Sequence, residues 1–186
     1  MYRKYPRAHW HNYCDGTYFV TVCTRSRAHY FGRISSGEIT YTVTGKYLCR
    51  AIEEISEHYP YAVIRCFIVM PNHFHAIISI VGSRHAAAQT ENAAQPENTG
   101  CLRPPRYPDD GDNFDGRNHF NALLSRVIGG VKSAVTKHAR SRNIEFGWQP
   151  NFHDHIIRNQ REYNLIAEYI DKNVETWAQD KFFAHE

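Results

Sequence analysis

The residues with the most pointed chemistry sit together at Met70-Pro71-Asn72-His73-Phe74-His75. The apolar runs on either side read as strands, and in a strand residues two apart project from the same face. His73 and His75 therefore point one way, while Phe74 points the other way and anchors the strand. Two imidazoles placed like this can chelate one divalent cation, with a carboxylate or amide oxygen from elsewhere completing the site. A solvated, hydrogen-bonded pair of histidines fits the same spacing, so the six residues alone leave both readings open. Five cysteines (Cys14, Cys23, Cys49, Cys66 and Cys101) include no Cys-x-x-Cys pair. That argues against a thiolate zinc site or a disulfide framework and fits the reducing cytoplasm.

The net charge is only +3, but it is unevenly placed. Residues 1–33 hold six Arg or Lys against Asp15 alone, and residues 117–142 hold six more with no acid. Separated basic blocks suit a phosphate-binding face, although a solvated surface shows them equally. The longest apolar stretch, 67–80, is interrupted by Pro71, Asn72, His73 and His75 and cannot span a membrane. The opening residues lack the apolar run of a secretory leader.

Positioning such a site requires a scaffold, and periodicity supplies one. Residues 16–24 are β-branched and aromatic and read as a strand. A turn at Ser35-Ser36-Gly37 leads to 38–43, a second strand or edge hairpin. Thr44 can cap a helix running to about residue 58, with Leu48, Ile52 and Ile55 inward. Residues 61–70 and 73–81 flank Pro71-Asn72 as a central antiparallel hairpin. From 82 to 118 Ala, Gln, Asn, Glu, Pro and Gly take over, which reads as a flexible insertion within a single domain spanning 1–186. A basic helix at 119–142 carries an apolar stripe through Leu123, Leu124, Val127, Ile128, Val131 and Val135, with Gly129-Gly130 as a weak centre that can split it. Trp148-Gln149-Pro150 marks a connection and 152–157 an extended piece. A last helix at 161–173 has Leu165, Ile166, Tyr169 and Ile170 at helical spacing. This order predicts an α+β domain, an antiparallel sheet with helices on one face.

Four ordered blocks carry a resemblance. MPNHFHAIISI at 70–80 resembles the histidine–hydrophobic–histidine strand of the HUH nucleases, in particular the IS200-type transposases and their relatives associated with repeated extragenic palindromes. YFVTVCT at 18–24, WQPNFHDHIIRN at 148–159 and EYIDKN at 168–173 are similar to that family's first strand, its WQ…DHxIRN segment and its tyrosine helix. The blocks lie between about residues 16 and 177, with 82–118 outside them. The resemblance implies a ferredoxin-like antiparallel sheet with helices packed on it. It also implies a transposase that cleaves and joins single-stranded DNA at hairpins through a 5′-phosphotyrosine.

In this sequence Tyr169 falls at the nucleophile's position. Asn173, one helical turn on, falls at the position of a third, oxygen-donating ligand beside His73 and His75. The implied cofactor is Mg²⁺ or Mn²⁺. A phenol with a pKa of about 10 is a poor nucleophile near neutrality, so a cation on the phosphate is chemically apt. Arg25, Arg27, Arg126, Lys132 and Arg158 are the candidates for contacts to the DNA backbone. Some relatives dimerise through their sheets, so a homodimer is admitted. Plainer readings stand beside these: Tyr169 as a core aromatic between Ile166 and Ile170, Asn173 as a helix cap, and His155 as part of a structural block or a phosphate contact. Val174 stands where relatives carry proline. A hairpin-DNA-binding protein without useful cleavage is the alternative function.

Overall fold

Strand β1 (Gly16–Cys23) pairs on both of its edges, and the rest of the main sheet is built around it. The structure is a computed structural model that describes residues 16–81 and 121–179, with side chains from 123 onward in the second segment; the insertion expected at 82–118 lies outside the described residues. Strands β4 (Ala62–Met70), β5 (His73–Ile80) and β6 (His153–Ile157) complete a sheet of order β4-β5-β1-β6, antiparallel throughout. Helix α1 (Val43–Glu53) lies between β1 and β4 in sequence, and helix α3 (Asn121–Ser141) between β5 and β6. This is the ferredoxin-like α+β arrangement expected from the sequence. β4 is an edge strand, so only β5 of the 61–81 hairpin is central. Strands β2 (Gly32–Ser35) and β3 (Glu38–Tyr41) form a separate two-stranded sheet.

Alternation along the strands divides the sheet into two faces. Tyr18, Val20 and Val22 of β1 and Phe74, Ala76, Ile78 and Ile80 of β5 are buried against Leu48 and Ile52 of α1 and Leu124, Val127, Ile128, Val131 and Val135 of α3. The opposite face carries Thr21, Cys23, His73 and His75, and here helix α4 (Gln160–Asp171) packs. The helices therefore occupy both faces. The order of elements along the chain does not encode on which side the last helix returns.

Helix α1 starts two residues before the position expected of a Thr44 cap. Thr42 accepts the Gly45 N–H at 3.0 Å, while its hydroxyl donates to Tyr30 O and its amide to Phe31 O. Two tertiary partners, Tyr30 and Phe31, select Thr42 over Thr44, which is buried inside the first turn. A short helix α2 (Ile55–His58) follows after a break at Glu54.

Helix α3 runs unbroken through Gly129-Gly130. Two interior glycines cost roughly 2 kcal/mol, whereas each buried aliphatic side chain of the stripe contributes about 1.5–3 kcal/mol, so packing wins. The two glycines are not equivalent. A Cβ on Gly129 would meet nothing, but one on Gly130 would fall 2.0 Å from Tyr59 Oη. Gly129→Ala should therefore stabilise the fold by about 0.5–1 kcal/mol in denaturant unfolding. Gly130→Ala should lose that gain to displacement of the Tyr59 ring. Equal effects would contradict this packing. Among the described residues no helix is long and apolar enough to cross a membrane.

Candidate active site

The turn that opens β5 is fastened before the first histidine. Phe31 N–H donates to Pro71 O at 3.0 Å, and Asn72 O receives both the amide and the hydroxyl of Thr24 at 2.9 Å. His73 and His75 follow on one face of β5, 0% and 1% exposed, while Phe74 enters the core on the other. Their Nε2 atoms face each other at 3.0 Å. His73 Nδ1 lies 2.8 Å from Asn72 Oδ1, and His75 Nδ1 lies 2.8 Å from Thr21 Oγ1 on the neighbouring strand. Phe19 stacks on His75 with ring centroids 5.1 Å apart, and Trp177 lies 5.9 Å from His73.

Helix α4 brings Tyr169 to this pair. The Tyr169 hydroxyl is 3.3 Å from His75 Nε2, and its ring meets Phe19 edge-on at 6.2 Å. Tyr169 remains 38% exposed, while its neighbour Ile170 is buried. That division suits a reacting phenol better than a core aromatic. Leu165, one turn earlier, is 59% exposed, although its helical spacing had placed it in the apolar stripe. Asn173 is fully buried. It stands four residues after Tyr169, which touches His75, and four before Trp177, which packs on His73. The C-cap position expected as its plainer role is held by Lys172.

This arrangement fits a small divalent cation. The two Nε2 atoms lie on one strand face 3.0 Å apart, close enough for one ion to take both as ligands. Among the described residues no three His, Cys, Asp or Glu side chains gather. Among the described residues the remaining donors are neutral oxygens, and the buried Asn173 amide is of that kind. His73, His75 and Asn173 are the residues that can hold such an ion.

The start of α4 is tied to β6. Asn159 caps the helix by accepting the Glu162 N–H at 2.9 Å. The Glu162 carboxylate in turn accepts the Arg158 N–H at 2.8 Å and pairs with His155 Nε2 at 2.6 Å. These contacts, the Arg158 amide first, hold the Glu162 carboxyl below its ordinary pKa. His155 thus acts as a structural tie for the tyrosine helix. A depressed carboxyl pKa means the tie is complete above the unfolded value of about 4.3 and is lost as pH falls through the lower folded value. The Arg158 amide resonance should accordingly move on acidification only below the ordinary glutamate range, and not at all in Glu162→Gln.

The basic candidates divide. Arg25 and Arg27 lie on the 3₁₀ turn (Arg25–Arg27) beside the start of β5, where Arg27 O accepts the Asn72 side-chain N–H. Arg158 is exposed at the entry to α4. Arg126 and Lys132 lie on α3, across the sheet from Tyr169. The Lys132 ammonium donates to Gln149 O at 2.8 Å and Asn151 O at 3.1 Å, and its burial lowers its pKa. With Trp148 Nε1 donating to Lys132 O, it fastens the Trp148–Asn151 segment to α3. Thr21, Asn72 and Trp177 escaped the sequence reading. Only the strand register, Thr21 opposite His75, reveals the first, and Asn72 reads in sequence as an ordinary turn residue.

No protein-family model matches the chain. It is 29% identical over 184 residues to an uncharacterized protein of Haemophilus influenzae, covering 98% of this chain and 93% of that one. Among solved structures it is similar to a REP-associated tyrosine transposase bound to a REP hairpin, with a TM-score of 0.53 and 21% identity, covering 97% of this chain and 77% of the other. That likeness is one of fold.

Proposed function

We propose that this protein is a cation-dependent tyrosine transesterase, a transposase-type endonuclease that cuts and rejoins single-stranded DNA at hairpin elements. The observation that carries the reading is the Tyr169 hydroxyl, partly exposed and 3.3 Å from the imidazole of a buried histidine pair. A partly exposed phenol on α4 beside two buried imidazoles of β5 is an arrangement that phosphoryl chemistry can use. The hairpin-bound structure of the similar fold supports DNA hairpins as the substrate class.

In the proposed reaction Tyr169 Oη forms an ester bond to the scissile phosphorus and the P–O3′ bond breaks. The phenolic proton leaves to solvent, and the departing 3′ oxygen takes one up. The 5′ phosphate stays on Tyr169 and the other fragment ends in a free 3′ hydroxyl. Attack by another 3′ hydroxyl reverses the step and joins strands without ATP, because the phosphotyrosine keeps the energy of the original ester. A bound Mg²⁺ or Mn²⁺ would polarise the phosphate and offset the charge developing on it, with two imidazoles favouring Mn²⁺. His73 and His75 would hold the ion with Asn173, and Tyr169 would be aimed by α4. Arg25, Arg27 and Arg158 would meet the DNA backbone in this reading. Arg126 and Lys132, on α3, are further candidates for that contact.

The test is incubation of the full chain with labelled single-stranded hairpin oligonucleotides and Mn²⁺ or Mg²⁺. A denaturation-resistant protein–DNA adduct that requires the cation is the expected product. Tight hairpin binding with no adduct under any cation would replace this reading with a binding protein that does not cleave.

A further inference from the structure

The two histidines are not held alike, and the difference lies in the atoms behind them. Asn72 is fully buried, with its side-chain N–H donating to Arg27 O at 3.2 Å. Turning the amide over would set two carbonyl oxygens against each other, so its orientation is fixed and Oδ1 faces His73 Nδ1 at 2.8 Å. An amide oxygen can only accept, so the proton of neutral His73 must sit on Nδ1 and a lone pair on Nε2. His75 Nδ1 instead meets the Thr21 hydroxyl at 2.8 Å, a group that can donate or accept. With both rings neutral and no cation between them, one of the two Nε2 atoms 3.0 Å apart carries a proton, and His73, already protonated on Nδ1, does not. His75 therefore carries it, and Thr21 donates to Nδ1.

We propose that Asn72 and Thr21 are the positioning residues of the cation site: Asn72 locks His73 with its lone pair outward, and Thr21 is the switchable partner that lets His75 change tautomer on binding. When an ion is taken up, the His75 proton leaves Nε2 and one returns to Nδ1, where Thr21 turns to accept it. No net proton is gained or lost. A lone pair committed beforehand on one ligand lowers the cost of ordering the site, which is how the groups behind metal-bound imidazoles ordinarily act. This inference rests on the proposed cation site, but its first readout does not.

Imidazole ¹⁵N spectra of the full chain report which ring nitrogen is protonated. Without metal, His73 should be protonated on Nδ1 and His75 on Nε2, and titration with Mg²⁺ should move only the His75 proton, to Nδ1. Mn²⁺ affinity from EPR should weaken by roughly 10–100-fold in Asn72→Ala and in Thr21→Val, and stay close to wild type in Thr21→Ser, which restores the hydroxyl. If Asn72→Ala fails to fold, the Thr21 pair, which barely changes shape, and the wild-type spectra decide. A His73 ring protonated on Nε2, or Thr21→Val binding Mn²⁺ as tightly as wild type, would overturn the proposal. Wild-type protein that shows these tautomers but binds no Mn²⁺ would instead remove the cation from the proposed function and, with it, the role assigned here.

Discussion

Tyr169→Phe is expected to abolish the covalent DNA adduct, a loss of at least about 10³-fold, while leaving the fold and hairpin binding in place. The substitution removes one oxygen from a side chain that is already 38% exposed. In the folded protein that oxygen makes a long contact, 3.3 Å to His75 Nε2. A neutral hydrogen bond contributes about 0.5–1.5 kcal/mol net, and one of this length belongs at the lower end. The ring keeps its edge against Phe19. Activity and stability should thus separate: adduct gone, denaturant midpoint nearly unmoved. Stability falling while adduct persists would return Tyr169 to the core reading and send the search for the nucleophile to another tyrosine of α4, Tyr163.

The largest stability effect is expected far from the phenol, at Gly45. A Cβ there would stand 1.9 Å from Phe31 O and 2.8 Å from its carbonyl carbon. Those are backbone atoms and cannot swing aside. Alanine is the better helix former by about 1 kcal/mol, so with room to spare the substitution would stabilise α1. The clash reverses the sign, and Gly45→Ala should cost about 3 kcal/mol or more, at the upper end of overpacking. Phe31 is buried, receives the Thr42 N–H on the same carbonyl, and donates its own N–H to Pro71 O. Strain at Gly45 therefore reaches the Pro71-Asn72 turn in two steps. Loosened His73 and His75 resonances should accompany the lower denaturant midpoint. A variant within about 1 kcal/mol of wild type would show that α1 can withdraw from the β2–β3 sheet.

How far the sequence carried depends on which forces were local. The His73/His75 geometry follows from strand periodicity alone, and Phe74 lies in the core where the same rule puts it. The strands at 62–70, 73–80 and 153–157 and the tyrosine helix emerge from β-branched runs and helical spacing, with ends shifted by a residue or two. What was not legible depends on partners distant in the chain. Thr42 outcompetes Thr44 as a cap because Tyr30 and Phe31 lie against it. Leu165 satisfies an apolar spacing yet faces out, since Ile170 and not Leu165 meets the sheet. Lys132 reads in sequence as a candidate for DNA contact, and its bonds to the carbonyls of Gln149 and Asn151 show only in the fold. Thr21 and Asn72 are invisible for the same reason: a β-branched strand residue and a turn asparagine acquire roles only through the register that faces them with His75 and His73.

Strand β5 writes two texts in alternate letters. Odd positions spell the chemistry, His73 and His75; even positions, Phe74, Ala76, Ile78 and Ile80, spell the core. Because the side-chain period is two, the texts can be revised separately by substitution but never by length. Removing one residue between His73 and His75 would turn an imidazole into the core and a core side chain toward Tyr169 in a single event. Lineages carrying this fold should therefore vary freely in the letters of either text while keeping the spacing of β5 unbroken. A sequence collection in which indels fall within 73–80 as often as in the β2–β3 turn would contradict that reading frame.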